Sequence, residues 1–366
     1  MPGILGAKLR GEREALGLTQ EALSRAVGLS SEFISLLELG KRMPSVDSLT
    51  ALASYFKKDV SYFLKEKEEA FNMLFSGEGI DKKTRAALKK FKQQCEEYLN
   101  LEELTGRRIE LAPLYTHSSA ERMAEEERHR LGYGNEPVRD VFSLVEINGL
   151  HLIRQPIPEI SKISGVFIYL ETERAAFALV NSTQSSAQQA FIAAHEYCHY
   201  LKDRKAGPVV DNPDVFIDEF VSLYHPHEIF AQIFASHFLI PPSKVKEIID
   251  KDLASKNLSF PDVLYLKLYF GVSTLDMLQA LKNYGYLSLS KFEEYRKLGP
   301  SAYEEDFLGK TALEEKPIKK RGRTVPSRRF ISLALEAFRR KKLTIGKLSE
   351  LLSVSEDRIK SAFKTR

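Results

Sequence analysis

The pentad His195-Glu196-Tyr197-Cys198-His199 sits in the run FIAAHEYCHYL. On an α-helix each residue advances 100°, so His195 and His199 project from one face, one turn apart. Two neutral imidazoles presented this way can take two corners of a zinc tetrahedron. Glu196 then lies beside the open corner, where it can draw a proton from a metal-bound water. Three residues compete for the third corner: Glu228, 29 positions beyond His199, and His225 and His227 just ahead of it. Imidazole and carboxylate both suit a catalytic zinc. Tyr224, or one of those two histidines, can instead steady an oxyanion. His237 falls about 180° round the helix from Glu228 and reads as structural. His117, His129 and His151 read as ordinary surface or satisfied histidines.

The elements that must position this group can be read from pattern. No Pro or Gly interrupts 187–203, and Phe191, Ile192, Ala194 and Leu201 give the helix apolar flanks. Upstream, SSAERMAEEERHRLG forms a helix ending at Gly132, and VFSLVEI forms another. After Asn148-Gly149 comes a short strand, HLIRQ. ISGVFIYLE and AAFALVN alternate as two more strands, with ETER as the turn between them. Strands that feed directly into an HExxH helix match the layout of zinc peptidases, in which a sheet edge holds an extended substrate beside the metal. EIFAQIFASHFLIPP supplies the second helix, and KVKEIIDKDLASKNLSFPDVLYLKLYFGVSTLDMLQALKNYG reads as further helices.

At the other end, residues 4–64 read as five short helices. Thr19 caps the second, Gly28 ends it in a left-handed conformation, Gly40 closes the third, Ser45 opens the fourth, and VSYFL makes the last turn. Ala22, Gly28 and Ile34 sit where a helix-turn-helix needs a small residue, a turn glycine and a buried branched residue. With its ending ELGKRMPS, this segment resembles the XRE/Cro family of repressor domains along its whole length. The resemblance implies that the helix starting near Ser30 lies in the major groove, with Ser31, Glu32 and Ser35 facing base edges. It also implies that Gln20, Lys41 and Arg42 touch phosphates. The segment carries 8 basic and 7 acidic residues. Since phosphate contacts supply most DNA affinity, operator binding is expected to need a homodimer or help from the basic C-terminus.

ISG at 163–165, Asn181, the HExxH helix and EIFAQIFASHFLIPP resemble the ImmA/IrrE family of metallopeptidases, and the likeness covers roughly 120–290. In that family a Glu precedes an Ala-Asn pair by three residues, followed by Phe-Ala and a closing Leu-Met-Pro. Here Glu228 precedes Ala231 by three, Phe234-Ala235 follow, and Leu239-Ile240-Pro241 close the helix. Gln232 stands in place of the usual Asn, and Phe230 where a polar residue is frequent. The resemblance implies His195, His199 and Glu228 as ligands of Zn2+, Glu196 as the catalytic base, and a repressor-type protein as substrate.

Composition sets bounds on the whole. A length of 366 residues suits two or three domains. Two cysteines, Cys95 and Cys198, read as buried reduced thiols of a cytoplasmic protein. No apolar run suits a membrane span, and the first residues, MPGILGAKLRGER, do not read as a signal peptide. Net charge is +4, yet 316–366 hold 16 Lys/Arg against 4 Asp/Glu, so the remainder is acidic. A basic end suggests a polyanion partner. That end includes Lys316-Pro317-Ile318-Lys319-Lys320-Arg321-Gly322-Arg323. Beyond it the chain echoes the first domain at a shift of 325: Leu23 falls on Leu348, Ile34 on Ile359, and Ser353 replaces the turn glycine. Between the two ends, Leu88, Phe91, Cys95, Tyr98 and Leu99 recur at helical spacing. They form a stripe that either pairs with a second copy or packs on the next domain.

The expected architecture is α+β and mostly helical. A DNA-binding domain at 1–66 is followed by a linker and long helix at 67–116. A zincin-like metallopeptidase domain with a small sheet occupies 117–295, a basic linker 296–326, and a small helical domain 327–366. The expected function is transcriptional regulation by cutting a repressor-type protein, or the chain itself in its 65–117 linker, under stress or in a mobile element. A non-proteolytic ligand- or metal-sensing transcription factor and an antitoxin or phage-defence regulator are the alternatives.

Overall fold

A computed structural model describes residues 2–16, 18–56, 58, 60, 63, 71, 81–204, 208–211, 226–254, 257–298 and 324–364. The expected VSYFL turn, most of the 65–80 linker, Tyr224, His225 and the basic stretch 316–323 lie largely or wholly outside these residues. The chain divides into two compact units, Met1–Ser76 with Leu170–Ala175, and Gly77–Tyr169 with Ala176–Arg366.

The first unit contains α1 (Pro2–Ala15), α2 (Gln20–Val27), α3 (Ser31–Glu38) and α4 (Val46–Tyr55). Each boundary has a local cause. Side chains of Thr19, Ser30 and Ser45 accept from the amides of Ala22, Phe33 and Ser48, satisfying donors that a helix start leaves unpaired. Gly28 ends α2 at φ 71°, where a residue with a Cβ is strained. Leu5, Leu9, Leu23, Ile34, Leu37 and Leu52 fill the core. α1 crosses α3 so closely at Gly6 that a Cβ there would lie 2.2 Å from the Leu37 carbonyl oxygen.

The second unit is built on a four-stranded sheet. Its strands are β1 (Leu150–Gln155), β2 (Gly165–Leu170), β3 (Ala175–Asn181) and β4 (Val209–Asp211), in the order β1-β3-β2-β4. β1 runs parallel to β3 from Leu150 opposite Ala176 to Gln155 opposite Asn181. β3 is buried at all seven positions, so both faces of the sheet are covered. The helices before β1 are α5 (Lys82–Thr105), α6 (Ala120–Arg130) and α7 (Val141–Ile147). α8 (Ser186–Lys202) lies between β3 and β4, and after β4 come α9 (Pro226–Leu239), α10 (Pro242–Ile248), α11 (Phe260–Phe270), α12 (Thr274–Asn283) and α13 (Leu289–Lys297). The chain is mostly helical with one small sheet, and no described helix is long and apolar enough to cross a membrane.

α5 buries Leu88, Phe91, Cys95 and Tyr98, as an amphipathic stripe should, with Leu101 rather than Leu99 completing the buried row. The stripe packs within the chain. The Tyr98 ring meets His151 and Phe177 of the sheet and Phe330 of α14 (Arg328–Arg339). With α15 (Ile345–Leu352) and α16 (Glu356–Lys364), α14 forms the C-terminal module. The echo of the first unit extends to its caps. Thr344 caps α15 as Thr19 caps α2, and Ser353 takes the left-handed turn at φ 52° where Gly28 does so at 71°. Basic residues of this module are spent on docking. Arg329 donates to Glu102 at 2.6 Å, Arg340 to the Thr105 carbonyl at 2.8 Å and Lys342 to the Leu104 carbonyl at 2.7 Å.

Candidate metal centre

α8 begins with a reciprocal capping box between Ser185 and Gln188, then buries nearly every residue from Gln189 to Leu201. His195, Glu196 and His199 are all at most 1% exposed. The i, i+4 spacing sets the two Nε2 atoms 3.1 Å apart. Glu228, in the first turn of α9, brings Oε2 to 3.1 Å from His195 Nε2 and Oε1 to 3.5 Å from His199 Nε2. The packing of α9 on α8 fixes this meeting. Ala231 and Ala235, one turn apart and fully buried, allow close approach, and Phe238 packs on Tyr197. From α6, Arg128 donates to the Phe238 carbonyl at the end of α9.

The three donors suit a divalent ion of zinc's size. Bonds of ~2.0–2.1 Å in a tetrahedron place neighbouring donors ~3.3 Å apart; the imidazole nitrogens lie 3.1 Å apart, with one carboxylate oxygen 3.1 Å from His195 Nε2 and the other 3.5 Å from His199 Nε2. Among the described residues these are the only three that converge in this manner. Behind them Asp203, one turn after His199, lies 3.4 Å from His199 Nδ1 and 3.1 Å from His227 Nδ1. A carboxylate on the far nitrogen orients a ligand imidazole and leaves the near nitrogen free for metal. Asp203 was not singled out in the sequence, although a carboxylate four residues past the second histidine is a usable signal. His227, 63% exposed, stands outside the donor cluster and touches it only through Asp203. His225 and Tyr224 lie outside the described residues.

Charge is concentrated at the centre. Burial favours a neutral Glu228, but the two imidazoles outweigh it and hold the carboxyl well below the usual range. Burial likewise disfavours a charged His199, yet Asp203, Glu228 and Glu196 overcome it and raise its pKa to about 10. Burial pushes the Cys198 thiol well up, which leaves it an inert packing group.

The strand signals acquire physical reasons. A Cβ on Gly165 would sit 2.1 Å from Glu196 Oε1 and 2.8 Å from Ile192 Cγ2, so a larger residue there would push the carboxylate from its place. Asn181 closes β3 onto the 157–163 loop: its Oδ1 accepts from the Ile157 and Thr183 amides, each at 3.1 Å. Phe230, at a position that is often polar in the resembled family, lies under the Lys202 ammonium at 4.4 Å. His237 bonds the Ile233 carbonyl, and His151 lies between Glu102 and the Ala176 carbonyl, so both are internal partners. His117 pairs with Glu126.

In the first unit, Ser31, Glu32 and Ser35 lie on α3, with Glu32 exposed and the serines half-buried. Lys41 and Arg42 are exposed, and the Arg42 guanidinium sits 4.8 Å from the Phe33 ring centroid. Gln20 is engaged within the fold. Its amide donates to Glu38 at 2.8 Å, and Glu38 also takes two bonds from Arg13.

Comparison with known proteins follows the same division. Residues 9–63 match the family described as Helix-turn-helix, and residues 158–282 match the IrrE N-terminal-like domain. No curated protein matches the chain. Two solved structures align over most of it. Bacillus thuringiensis PlcR in complex with the peptide PapR7 and DNA is 12% identical, covering 95% of this chain and 91% of that one, at a TM-score of 0.16. The apo form of the competence regulator ComR from Streptococcus vestibularis is 15% identical, covering 88% and 99%, at a TM-score of 0.17. At these scores neither likeness bears on the fold. The chain joins an XRE-type helix-turn-helix domain to a domain of the ImmA/IrrE family.

Proposed function

We propose that this chain is a DNA-binding regulator whose second unit is a zinc-dependent peptidase, acting on a repressor-type protein or on the chain itself. The convergence of His195, His199 and Glu228, whose ligand atoms all lie within 4.8 Å of one another, with Glu196 beside them, is the single observation that carries the reading. A zinc ion held there supplies Lewis acidity, lowering the pKa of water towards ~7 and polarising a carbonyl. The remaining work falls to side chains. His195, His199 and Glu228 bind the ion, and Asp203 holds the His199 ring in its orientation. Glu196 accepts the proton of the attacking water and returns it to the leaving amide nitrogen. Burial of all three α8 residues keeps bulk water from competing for that proton.

In the first unit, Ser31, Glu32 and Ser35 read bases of an operator while Gln20, Lys41 and Arg42 face phosphates. Gln20 reaches a phosphate by exchanging its bond to Glu38. The test is Glu196→Gln in zinc-loaded protein, which removes the base while leaving the three donors. Hydrolysis should fall ~10²–10⁴-fold, the usual worth of a positioned base, with zinc content unchanged. Regulation that survives Glu196→Gln intact would remove the peptidase from the function. Self-cleavage fails separately if wild type and variant stay equally intact with zinc.

A further inference from the structure

The edge of β2 that passes Glu196 is already paired. β4 lies along it in antiparallel register, with Asp211 opposite Gly165, Val210 opposite Val166 and Val209 opposite Phe167. Gly165 and Phe167, two apart and so on one face of β2, border the donor cluster. Gly165 abuts the Glu196 carboxylate, and the Phe167 ring centroid lies 6.5 Å from that of His199. A peptide held for hydrolysis beside Glu196 needs this same edge, because a sheet grips an extended peptide by adding it as a strand. A paired edge cannot accept a second strand. Among the described residues β4 is lightly held: Val210 is 44% exposed, and Val209 is half-buried against the core. Short, exposed pairings open at little cost relative to the core.

We propose that Val209–Asp211 is a resident stand-in for substrate: the cleft takes an extended, β-branched apolar segment antiparallel to β2, and this chain's own β4 leaves the edge to admit it. The proposal rests on the peptidase reading above. It assigns the substrate class, an unfolded or terminal stretch able to lie as a strand, and explains how a ready hydrolytic centre is kept from indiscriminate cutting. The occupant competes within the molecule, so a substrate must pair better than two valines do.

The test uses the full-length zinc-loaded chain and a fluorescein-labelled Val-Val-Val hydroxamate, followed by anisotropy. Val210→Pro removes an amide and the strand conformation at the centre of β4. It should lower the probe's Kd at least tenfold. Val166→Cys with Val210→Cys places two thiols on directly opposed residues, a separation a disulfide can span. The native Cys95 and Cys198 are buried and do not compete. Oxidation of this pair should weaken probe binding at least tenfold, and reduction should restore it. In zinc-free protein, amides 165–167 should exchange faster with solvent in Val210→Pro than in wild type. Equal probe affinity in wild type and Val210→Pro, with the oxidised pair still binding, overturns the stand-in and leaves the peptidase reading in place. A hydroxamate that binds no form overturns the peptidase reading and this inference with it.

Discussion

Removing Glu228 should cost the chain its metal, whereas removing its neighbour His227 should not. The two residues are adjacent in sequence and both types are common zinc donors, so the contrast isolates geometry from chemistry. Glu228 Oε2 and Oε1 lie 3.1 and 3.5 Å from the two imidazole nitrogens, whereas His227 reaches the cluster only through Asp203. A four-donor protein zinc site is worth roughly 10–16 kcal/mol, so one donor represents roughly 3–4 kcal/mol, or about 10²–10³-fold in Kd. Glu228→Ala should show that loss in a chelator-competition titration and emerge from dialysis without metal. Asp203→Asn, which releases the far side of His199, should cost about 10–100-fold, and His227→Ala less than about tenfold. The pH dependence has a fixed sign. His199 in the zinc-free chain is held protonated up to about 10 by its carboxylates, so binding must displace a proton. Affinity should therefore rise about tenfold per pH unit between pH 7 and 9. Zinc lost from His227→Ala but retained by Glu228→Ala would refute the assignment.

Three further outcomes follow from other parts of the molecule. Glu102 is buried against His151 and Arg329; burial works against its charge, but the two partners outweigh it and depress its pKa. Its contribution is present above the ordinary carboxylate pKa and lost as pH falls through the depressed value. Glu102→Gln should destabilise the second unit by roughly 3 kcal/mol near neutrality and flatten the loss of melting temperature below pH 4.5. Lys41→Ala with Arg42→Ala should weaken operator binding at every sequence alike and reduce the slope of log K against log salt by about 2; a changed base preference would contradict phosphate contact. Ser353→Gly should stabilise by a few tenths to ~1 kcal/mol, since a left-handed residue with a Cβ is strained by ~1–2 kcal/mol and glycine gives back ~0.5–1 in entropy. Gly28→Ser, at the equivalent turn, should do the reverse in thermal unfolding.

Local periodicity made α8 and its histidine face readable, because a 3.6-residue repeat needs no partner to be recognised. The helix caps were readable for the same reason: Thr19, Ser45 and Gly28 act within four residues of themselves. Spacing alone left Glu228, His225 and His227 level; the Pro-interrupted turn expected ahead of the second helix, where the sequence places the two histidines, and the resemblance favoured Glu228. Residues joined across long sequence gaps were missed. His227 meets Asp203 from 24 residues away, and Gln20 is drawn to Glu38, which also holds Arg13 across 25 residues. β4 could not be seen at all, since Val209-Val210-Asp211 is too short for alternation to register. The C-terminal echo was legible in its apolar positions, but its docking on α5 was not, because the contacts are made by Arg and Lys to backbone carbonyls.

The donor cluster draws on two elements of unequal robustness, and this decides how metal and fold are coupled. The 3.1 Å separation of the two imidazole nitrogens is a property of one helix turn and persists wherever α8 is helical. Glu228 stands at the first turn of a different helix, so its position depends on the Ala231, Ala235 and Phe238 packing and on Arg128 at the far end. Loosening that interface separates the carboxylate from the histidines before either helix melts. An ion held by all three donors therefore stabilises the α8–α9 interface, adding ~4 kcal/mol at a thousandfold excess over Kd. A core change such as Ala235→Leu, two turns along α9 from Glu228, should on this reasoning lower metal affinity and metal-dependent stability together. Loss of one without the other would show that the carboxylate is held in place by something besides the packing of α9.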